Sequence, residues 1–350
     1  MVNALRATVR VALLAAALSL SALAHAAERL PALGAELAGT SVSGISSGGF
    51  MAVQFHVAHS RIVRGAGVIA GGPYYCAESS VTRAMFNCMR PGSFTPLPAT
   101  DVLKTFATSF AAAGRIDPIV HLGTARVWLF TGTRDTTVTP EVVAAARRFY
   151  LAFVPAANVA LVDSVPAGHA MITYDAGKAC DVTQAPFIND CDFDAAGELL
   201  AHIYGPLAPA AARAEGRMVA FDQREFVGGD AFAASLADVG FAYVPPACEA
   251  GGCRVHVAFH GCKQAHEAIG DRFVRETGYG RWADTNRLVV LFPQTIARSG
   301  WAGWWGGSFV FNPNGCWDWW GYTGPAYATK AGPQIRAVRA MVDRLAEPRR

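Results

Sequence analysis

Short apolar segments of strand length alternate with helix-length segments, and this alternation most constrains the fold of the chain. The apolar segments that resemble strands are Gly65–Ala70, Arg126–Phe130, Val159–Val162, Val255–Phe259 and Leu288–Phe292. Helices are predicted at Gly48–His59, Val102–Ala113, Pro140–Phe153, Asp194–Tyr204 and Pro333–Leu345. Apolar strands separated by helices are typical of a mostly parallel sheet with both faces covered. The sequence therefore predicts an α/β fold, with Pro206–Ala214 as a loop between its two halves.

The N-terminal segment has the pattern of an export signal. Arg6 and Arg10 precede an apolar run over Val11–Leu23, and Ala24-His25-Ala26 matches the small-x-small pattern of a cleavage site. The run is too short to span a bilayer. We therefore expect a signal peptide over residues 1–26, a single catalytic domain over residues 27–350, and a secreted protein, extracellular or periplasmic.

Charge and composition limit the classes of partner. The formal charge of +3 falls to +1 once Arg6 and Arg10 are removed, and hydrophobic residues make up 52% of the chain. Because no basic run occurs outside the extreme C-terminus, neither a nucleic acid nor a membrane surface is indicated as a partner. The sequence does not determine the oligomeric state, and a monomer is the expectation.

All eight cysteines lie after the predicted signal: Cys76, Cys88, Cys180, Cys191, Cys248, Cys253, Cys262 and Cys316. An even number in an exported chain favours disulfides. Their spacing does not fit a zinc site, so no metal is predicted. The sequence cannot fix the connectivity. Proximity favours Cys76–Cys88, Cys180–Cys191 and Cys248–Cys253, which leaves Cys262 and Cys316 by elimination.

The segment Gly44-Ile45-Ser46-Ser47-Gly48-Gly49 has the G-x-S-x-G pattern of a nucleophile elbow. It follows the strand-like Thr40-Ser41-Val42-Ser43 and precedes an apolar helical segment, which is the context that such an elbow requires. Glycines allow the sharp turn, and the amides at the start of the helix favour a developing negative charge. The alternative is an ordinary Gly/Ser turn. The context favours Ser46 as a catalytic nucleophile.

Two further residues complete the order Ser, Asp, His that is expected after a nucleophile elbow. Asp135 follows the strand at Arg126–Phe130, and His169 follows the strand at Val159–Val162. An isolated aspartate in such a loop is more often a cap or turn residue. Rivals for the acid are Asp117, Asp163 and Asp175. By contrast, His56 and His59 on the helix after the elbow suit structural roles.

The second oxyanion donor occurs late in the sequence. The amide of Ser47 is the expected first donor, and the other normally comes from a His-Gly loop that precedes the elbow. No such loop precedes Ser46, whereas a strand at Val255–Phe259 leads directly into His260-Gly261-Cys262. We therefore predict that the amide of Cys262 is the second donor and that the sheet is circularly permuted.

A cluster of aromatic residues follows near the C-terminus. Trp301, Trp304 and Trp305 precede Asn312-Pro-Asn-Gly-Cys-Trp-Asp-Trp-Trp-Gly-Tyr322. This density of aromatic residues among glycine, asparagine and proline is incompatible with one amphipathic helix. Most of these side chains are expected to be structural, and one or two to line a substrate groove.

Taken together, these motifs resemble single-domain poly(3-hydroxybutyrate) depolymerases with a circularly permuted α/β-hydrolase fold. The matching segments are SGISSGGF, TGTRDTTV, PAGHA, HGC and NPNGCWDWWGY, which extend over nearly all of the chain after the signal. The resemblance implies a serine esterase that hydrolyses poly- or oligo(3-hydroxybutyrate) through an acyl-enzyme. It implies Ser46, Asp135 and His169 as the triad, and the Ser47 and Cys262 amides as the oxyanion hole. By the same analogy Trp319, together with Trp320, contacts the substrate.

The resemblance implies no cofactor. Many secreted members carry an additional substrate-binding domain, for which this sequence has no room, so short or amorphous oligoesters are the expected substrate. Two alternatives stay open at this stage. One is a feruloyl or acetylxylan esterase that acts on plant polysaccharide, and the other is a non-catalytic protein that binds a sugar or lipid.

Overall fold

An eight-stranded sheet forms the centre of the computed structural model, which describes residues 27–228, 231–301 and 309–349. Its strands stand in the order β4-β3-β2-β1-β10-β11-β9-β8. The strands from the first half of the chain are β1 (Glu36–Ile45), β2 (Val63–Ile69), β3 (Arg126–Phe130) and β4 (Val159–Val162). Those from the second half are β8 (Arg217–Asp222), β9 (Val239–Val244), β10 (Arg254–Phe259) and β11 (Leu288–Phe292). Pairing is parallel from β4 through β11, and β9 and β8 add antiparallel strands at one edge.

Two small sheets lie outside this main sheet. One is three-stranded and contains β5 (Met171–Thr173), β6 (Lys178–Ala179) and β7 (Ile188–Asp190); the other pairs β12 (Arg298–Trp301) with β13 (Phe309–Asn312). The longer helices are α1 (Ser47–Ala58), α3 (Thr100–Ala112), α4 (Pro140–Leu151), α5 (Ala195–Tyr204), α8 (Tyr279–Asn286) and α9 (Pro333–Ala346). Shorter ones are α2 (Val81–Asn87), α6 (His266–Ile269) and α7 (Arg272–Glu276).

Both faces of the main sheet are buried, as its apolar strands predict. In β10, Val257 and Phe259 belong to one hydrophobic core, while Ala258 belongs to the other. This alternation follows from the two-residue period of a strand. Helices α1, α3, α4 and α9 contribute to the first core, and α5 and α8 to the second. The sheet is therefore a middle layer between two layers of helices.

The order of the strands confirms the predicted permutation. Strand β1 leads into Ser46, and its neighbour β10 leads into His260 and Gly261. The half of the sheet that carries the His-Gly loop therefore comes last in the chain, whereas a hydrolase sheet that is not permuted has this half first. The connection from α5 to β8, which includes the predicted loop Pro206–Ala214, links the two halves.

Most predicted elements agree with the structure to within two residues. The strands at Arg126–Phe130, Val159–Val162 and Leu288–Phe292 have the predicted bounds. Strands β8 and β9 were not predicted, although β9 (VGFAYV) is itself an apolar run. They form an antiparallel edge that the pattern of parallel strands does not encode.

Some predictions fall on residues that the structure does not describe. The predicted signal peptide over residues 1–26 lies outside the described ranges, as do Trp304 and Trp305. That residues 27–350 form a single domain stays a prediction. Within the described residues, no helix has both the length and the apolar character needed to cross a bilayer.

Two histidines are buried in uncharged surroundings on the sheet and on α1. Burial lowers the pKa of His56 and that of His256 from 6.5 to about 3. His56 contacts the Tyr150 hydroxyl at 3.0 Å. His256 lies between the hydroxyls of Ser41 and Ser43, at 2.6 and 2.7 Å. The fold therefore requires both imidazoles to be neutral.

We expect the free energy of unfolding to fall steeply in mild acid. Between about pH 6.5 and pH 3 the unfolded chain binds a proton at His56 and the folded chain does not. Each such group therefore lowers the free energy of unfolding by about 1.4 kcal/mol for every pH unit of acidification in this range. Denaturant unfolding at several pH values between 7.5 and 5 measures this slope. His56→Phe should reduce the slope by the share of one group, measured against the wild type over the same pH range. An unaltered slope in His56→Phe would contradict the assignment.

Candidate active site

Ser46 lies in a strained turn between β1 and α1. Its backbone has φ 56° and ψ −123°, a conformation that costs a non-glycine residue on the order of 1–3 kcal/mol. The turn is held by a hydrogen bond from the Ser46 amide to the Ile69 carbonyl (2.9 Å), and the Ser46 carbonyl accepts from the Phe50 amide (3.0 Å). Such strain concentrates at functional sites, and here it occurs at the serine that the G-x-S-x-G pattern singles out.

The glycines that flank Ser46 allow the backbones of β1, α1 and β10 to approach closely. A Cβ atom at Gly48 would lie 2.3 Å from the Phe259 carbonyl oxygen and 2.4 Å from that of His260. A Cβ atom at Gly44 would lie 2.2 Å from the Gly48 carbonyl oxygen. Because backbone atoms cannot move aside, both positions require glycine. The elbow is thereby in direct contact with the segment that leads into the His-Gly loop.

The structure pairs Asp135 with His169. The Nδ1 atom of His169 lies 2.7 Å from Oδ2 of Asp135, and both side chains are buried. The other carboxylate oxygen, Oδ1, accepts hydrogen bonds from the amides of Thr137 (2.8 Å) and Val138 (3.0 Å). With Nδ1–H donating to the carboxylate, Nε2 is left as the basic nitrogen of a neutral imidazole. The aspartate thus sets both the orientation and the tautomer of His169.

The three rival aspartates lie elsewhere. Asp117 accepts from Lys330 Nζ (2.5 Å) and from the Arg61 amide (2.9 Å). Asp175 forms an exposed ion pair with Arg281, and Asp163 is exposed. None of the three contacts His169, so the geometry favours Asp135 among the candidates.

The His260-Gly261-Cys262 loop lies next to Ser46. A Cβ atom built on Gly261 would be 3.3 Å from Cβ of Ser46. Among the described residues, neither the Ser47 amide nor the Cys262 amide donates a hydrogen bond to another protein group. Two such amides beside a serine hydroxyl form the arrangement that stabilises an oxyanion.

His260 fixes the orientation of the peptide group that carries the Cys262 amide. Its Nδ1 lies 2.7 Å from the Gly261 carbonyl oxygen, which belongs to the same planar peptide unit as the Cys262 N–H. Its Nε2 accepts from the Thr295 amide at 3.2 Å. Burial lowers the pKa of His260 to about 4, so the imidazole is neutral and can both donate and accept as this arrangement requires. By orienting the Gly261 carbonyl, His260 orients the Cys262 N–H in the opposite direction.

Further contacts hold the same loop against the segment at residues 312–316. The Lys263 amide donates to the Asn314 carbonyl (2.7 Å), and Cys262 forms a disulfide with Cys316. The remaining disulfides in the structure are Cys76–Cys88, Cys180–Cys191 and Cys248–Cys253, the pairs that proximity favours. The loop is therefore covalently tied to the aromatic segment.

A cavity of about 250 Å³ joins these elements. Ser46, His169 and Cys262 line it together. The rest of its wall is mostly uncharged, with Ile45, Met89 and Phe187 as its large apolar residues and Lys263 as its one lysine. Within the described ranges, no group of three or more His, Cys, Asp or Glu side chains could hold a metal ion. The cavity is suited to an uncharged ligand that extends from the serine.

The tryptophans predicted to contact substrate are not on the wall of this cavity. Trp319 is 5% exposed and stacks on Phe50 with 4.0 Å between ring centroids, and Trp320 packs edge-on against Trp319. Buried Asp318 organises this segment by accepting hydrogen bonds from the amides of Trp320, Gly321, Tyr322 and Thr323 and from the Thr323 hydroxyl. Contact of Trp319 and Trp320 with substrate stays a prediction.

Sequence reasoning missed several residues that support the site. Thr183 accepts a hydrogen bond from the His169 amide (2.9 Å). Gln264 accepts from the Gly261 amide (2.7 Å) and donates to the Phe187 carbonyl (2.8 Å). The position of Gln264 directly after His-Gly-Cys-Lys was the available signal, whereas nothing in the sequence links Thr183 to His169.

The chain has close relatives among known proteins. It is 46% identical over 327 residues to a poly(3-hydroxybutyrate) depolymerase of Delftia acidovorans, covering 92% of this chain and 62% of that protein. The chain thus spans less than two thirds of that relative. It is 37% identical over 335 residues to a polyhydroxybutyrate depolymerase of Talaromyces funiculosus, covering 93% of this chain and 95% of that protein.

Solved structures agree with the sequence relatives. The PHB depolymerase from Penicillium funiculosum aligns with a TM-score of 0.82 at 34% identity, covering 91% of this chain and 98% of that one. A PHB depolymerase complexed with an R3HB trimer aligns with the same score, identity and coverage. No protein-family model matches the chain.

The contacts of His260 predict how its substitution affects the hydrolysis of an activated ester. His260→Leu should lower kcat by up to about 10²–10³-fold, the loss that follows removal of one oxyanion donor, with a smaller change in KM. His260→Asn can still donate to the Gly261 carbonyl and should recover part of the loss. Circular dichroism establishes whether each variant folds. Equal kcat values for a folded His260→Leu variant and the wild type would exclude a positioning role.

Proposed function

Because the chain belongs to the polyhydroxybutyrate depolymerase family, we propose that it is a secreted serine esterase that hydrolyses poly- or oligo(3-hydroxybutyrate). The observation that carries this proposal is the convergence of Ser46, His169 and Cys262 on one cavity. A buried carboxylate behind His169 adds to it. The names of the relatives supply the substrate class, and the site supplies the means of ester hydrolysis.

The proposed reaction begins with proton transfer from Ser46 to Nε2 of His169 as the serine oxygen attacks the ester carbonyl. The amides of Ser47 and Cys262 stabilise the oxyanion of the tetrahedral intermediate. Asp135 stabilises the imidazolium while remaining ionised. His169 then gives its proton to the departing alcohol, which leaves an acyl-enzyme at Ser46. Water, activated by His169, attacks the acyl-enzyme and releases the hydroxy acid.

The substrate is proposed to be a short or amorphous chain rather than dense crystalline polymer. The cavity of about 250 Å³ has a mostly uncharged wall, which suits the ester and methyl groups of a 3-hydroxybutyrate chain. One solved relative is a complex with an R3HB trimer, a ligand of this short kind. The chain spans 62% of the Delftia acidovorans relative, so the substrate range of that longer protein is not assigned to this chain.

An oxidising compartment is supported by the disulfides. The structure has four of them, and all eight cysteines of the sequence take part. Disulfides persist in secreted and periplasmic proteins and are rare in the cytosol. We propose extracellular or periplasmic location on this basis.

Substitution of the nucleophile tests the enzyme class. Ser46→Ala should lower turnover of a soluble 3-hydroxybutyrate oligomer by several orders of magnitude with the fold intact, because triad residues act as a unit. Ser47→Ala keeps the amide and removes only a hydroxyl, which accepts a 3.3 Å hydrogen bond from the Trp317 amide, so most activity should remain. An inactive Ser47→Ala beside an active Ser46→Ala would show that the other serine is the nucleophile.

Substitution of the acid tests the triad. Asp135→Asn keeps the size of the side chain but favours the wrong tautomer of His169, and kcat should fall by about 10⁴-fold. Steady-state kinetics on the same oligomer measures this fall. Near-normal activity would remove Asp135 from the mechanism.

The substrate class is tested by a panel of purified esters. We expect release of acid from 3-hydroxybutyrate dimers and trimers to exceed release from feruloyl and acetyl esters of polysaccharide fragments. Labelling of Ser46 by a fluorophosphonate is measured in parallel. Labelling with preference for feruloyl or acetyl esters would keep the serine esterase and overturn the substrate, whereas absence of labelling would overturn both.

A further inference from the structure

Arginines lie at the amino ends of neighbouring strands, at the edge of the sheet opposite the catalytic residues. Arg126 and Arg254 are the first residues of β3 and β10, Arg64 is the second residue of β2, and Arg287 directly precedes β11. Because these strands are parallel and lie close together in the order β3-β2-β1-β10-β11, their amino ends share one edge. A fifth arginine, Arg61, lies two positions before the start of β2. The topology thus gathers cations that are far apart in sequence.

These arginines line two cavities that share Arg64. The first, of about 330 Å³, is lined by Arg61, Arg64 and Arg126, together with the small polar residues Ser60 and Thr124. The second cavity, of about 450 Å³, is lined by Arg64, Arg254 and Arg287. Asn286 and Thr285 add neutral polar groups to its wall, and Glu36 is the one acidic residue that lines either cavity.

No carboxylate neutralises the five guanidinium groups within the described residues, although many other arginines of the chain form ion pairs. Glu36 is exposed and forms no ion pair with any of them. Like charges gathered in this way repel one another, and a bound anion would relieve that repulsion. An anionic ligand would therefore balance the positive charge of this edge, which no carboxylate of the described residues neutralises.

The arginines also have structural contacts, which account for only part of their donors. Nε of Arg64 lies 3.4 Å from the Ile203 carbonyl and Nε of Arg126 donates to the His202 carbonyl, both at the C-terminal end of α5. Arg254 donates to the Asn286 carbonyl and stacks over the ring of Tyr204. Each guanidinium carries five N–H donors in a fork that matches phosphate oxygens. Most of these donors are left for a ligand.

We propose that this edge binds an anion with at least two phosphate-type groups, one in each cavity, with Arg64 between them. Two adjacent cavities with three arginines each fit a linear di- or triphosphate group better than a single small anion. Arginine forks recognise phosphate by paired, charge-assisted hydrogen bonds. Because the site is at the amino edge of the strands and Ser46 is at the carboxyl edge, occupation leaves the catalytic cavity open.

Inorganic tripolyphosphate is the probe for this site. Isothermal titration calorimetry on the full protein at constant ionic strength should give saturable binding of one tripolyphosphate per chain. Arg64→Gln should weaken it by tenfold or more, and Arg287→Gln should also weaken it. Arg287 is exposed, and among the described residues its guanidinium donates to the Gly251 and Gly252 carbonyls alone, so Arg287→Gln should fold like the wild type. This variant keeps the test valid if Arg64→Gln disturbs folding.

Arg148→Gln is the matched control, since Arg148 is an exposed arginine on α4 that lines neither cavity. It should bind tripolyphosphate like the wild type, and all three variants should keep wild-type hydrolysis of a soluble ester. If Arg148→Gln weakened tripolyphosphate binding equally, the effect would come from the net charge of the protein, and the proposed site would be overturned. Absence of saturable binding would overturn it as well. Binding to phosphatidylglycerol vesicles without binding to tripolyphosphate would overturn the small-ligand form in favour of a lipid surface.

Discussion

The pairing of β1 with β10 is the contact on which both the fold and the candidate site depend. It joins residues far apart in sequence, such as Ser43 and His256, which are 213 positions apart and share a 2.7 Å hydrogen bond. Beside this pair, the first turn of α1 meets the end of β10 so closely that a Cβ atom at Gly48 would lie 2.3 Å from the Phe259 carbonyl oxygen. This pairing completes the sheet from two halves of the chain and also brings the His-Gly loop beside Ser46. The stability of the sheet and the assembly of the proposed site therefore depend on the same strand pairing.

A loop that comes from the far end of the chain needs its own anchors to stay in place. Here a hydrogen bond from His260 sets the Gly261 peptide, a disulfide ties Cys262 to Cys316, and the Lys263 amide binds the Asn314 carbonyl. The aromatic segment behind it is rigid because Asp318 collects several of its amides. The tryptophan-rich sequence is thus first a scaffold for the His-Gly loop. This explains why its most buried members pack on the core instead of the cavity wall.

Sequence reasoning succeeded where a local pattern carries the information. The apolar strands, the elbow at Ser46 and the residues at successive strand ends are local signals, and the parallel sheet brings them to one edge. The permutation could be predicted because a strand leads directly into His260 and Gly261. Contacts between distant segments could not be predicted in this way. The link from His169 to Thr183 and the antiparallel strands β8 and β9 depend on the assembled fold.

The polarity of a parallel sheet separates two kinds of chemistry in this protein. The carboxyl ends of the strands lead into loops that place Ser46 and His169 on the mostly uncharged wall of one cavity, with Asp135 bound to His169. At the amino ends of the strands, the long side chains of Arg64 and Arg254 have no carboxylate partners among the described residues. A neutral polyester and a phosphate-type anion would therefore not compete for one site. The same strand direction that assembles a catalytic edge leaves the opposite edge cationic and open to a different class of ligand.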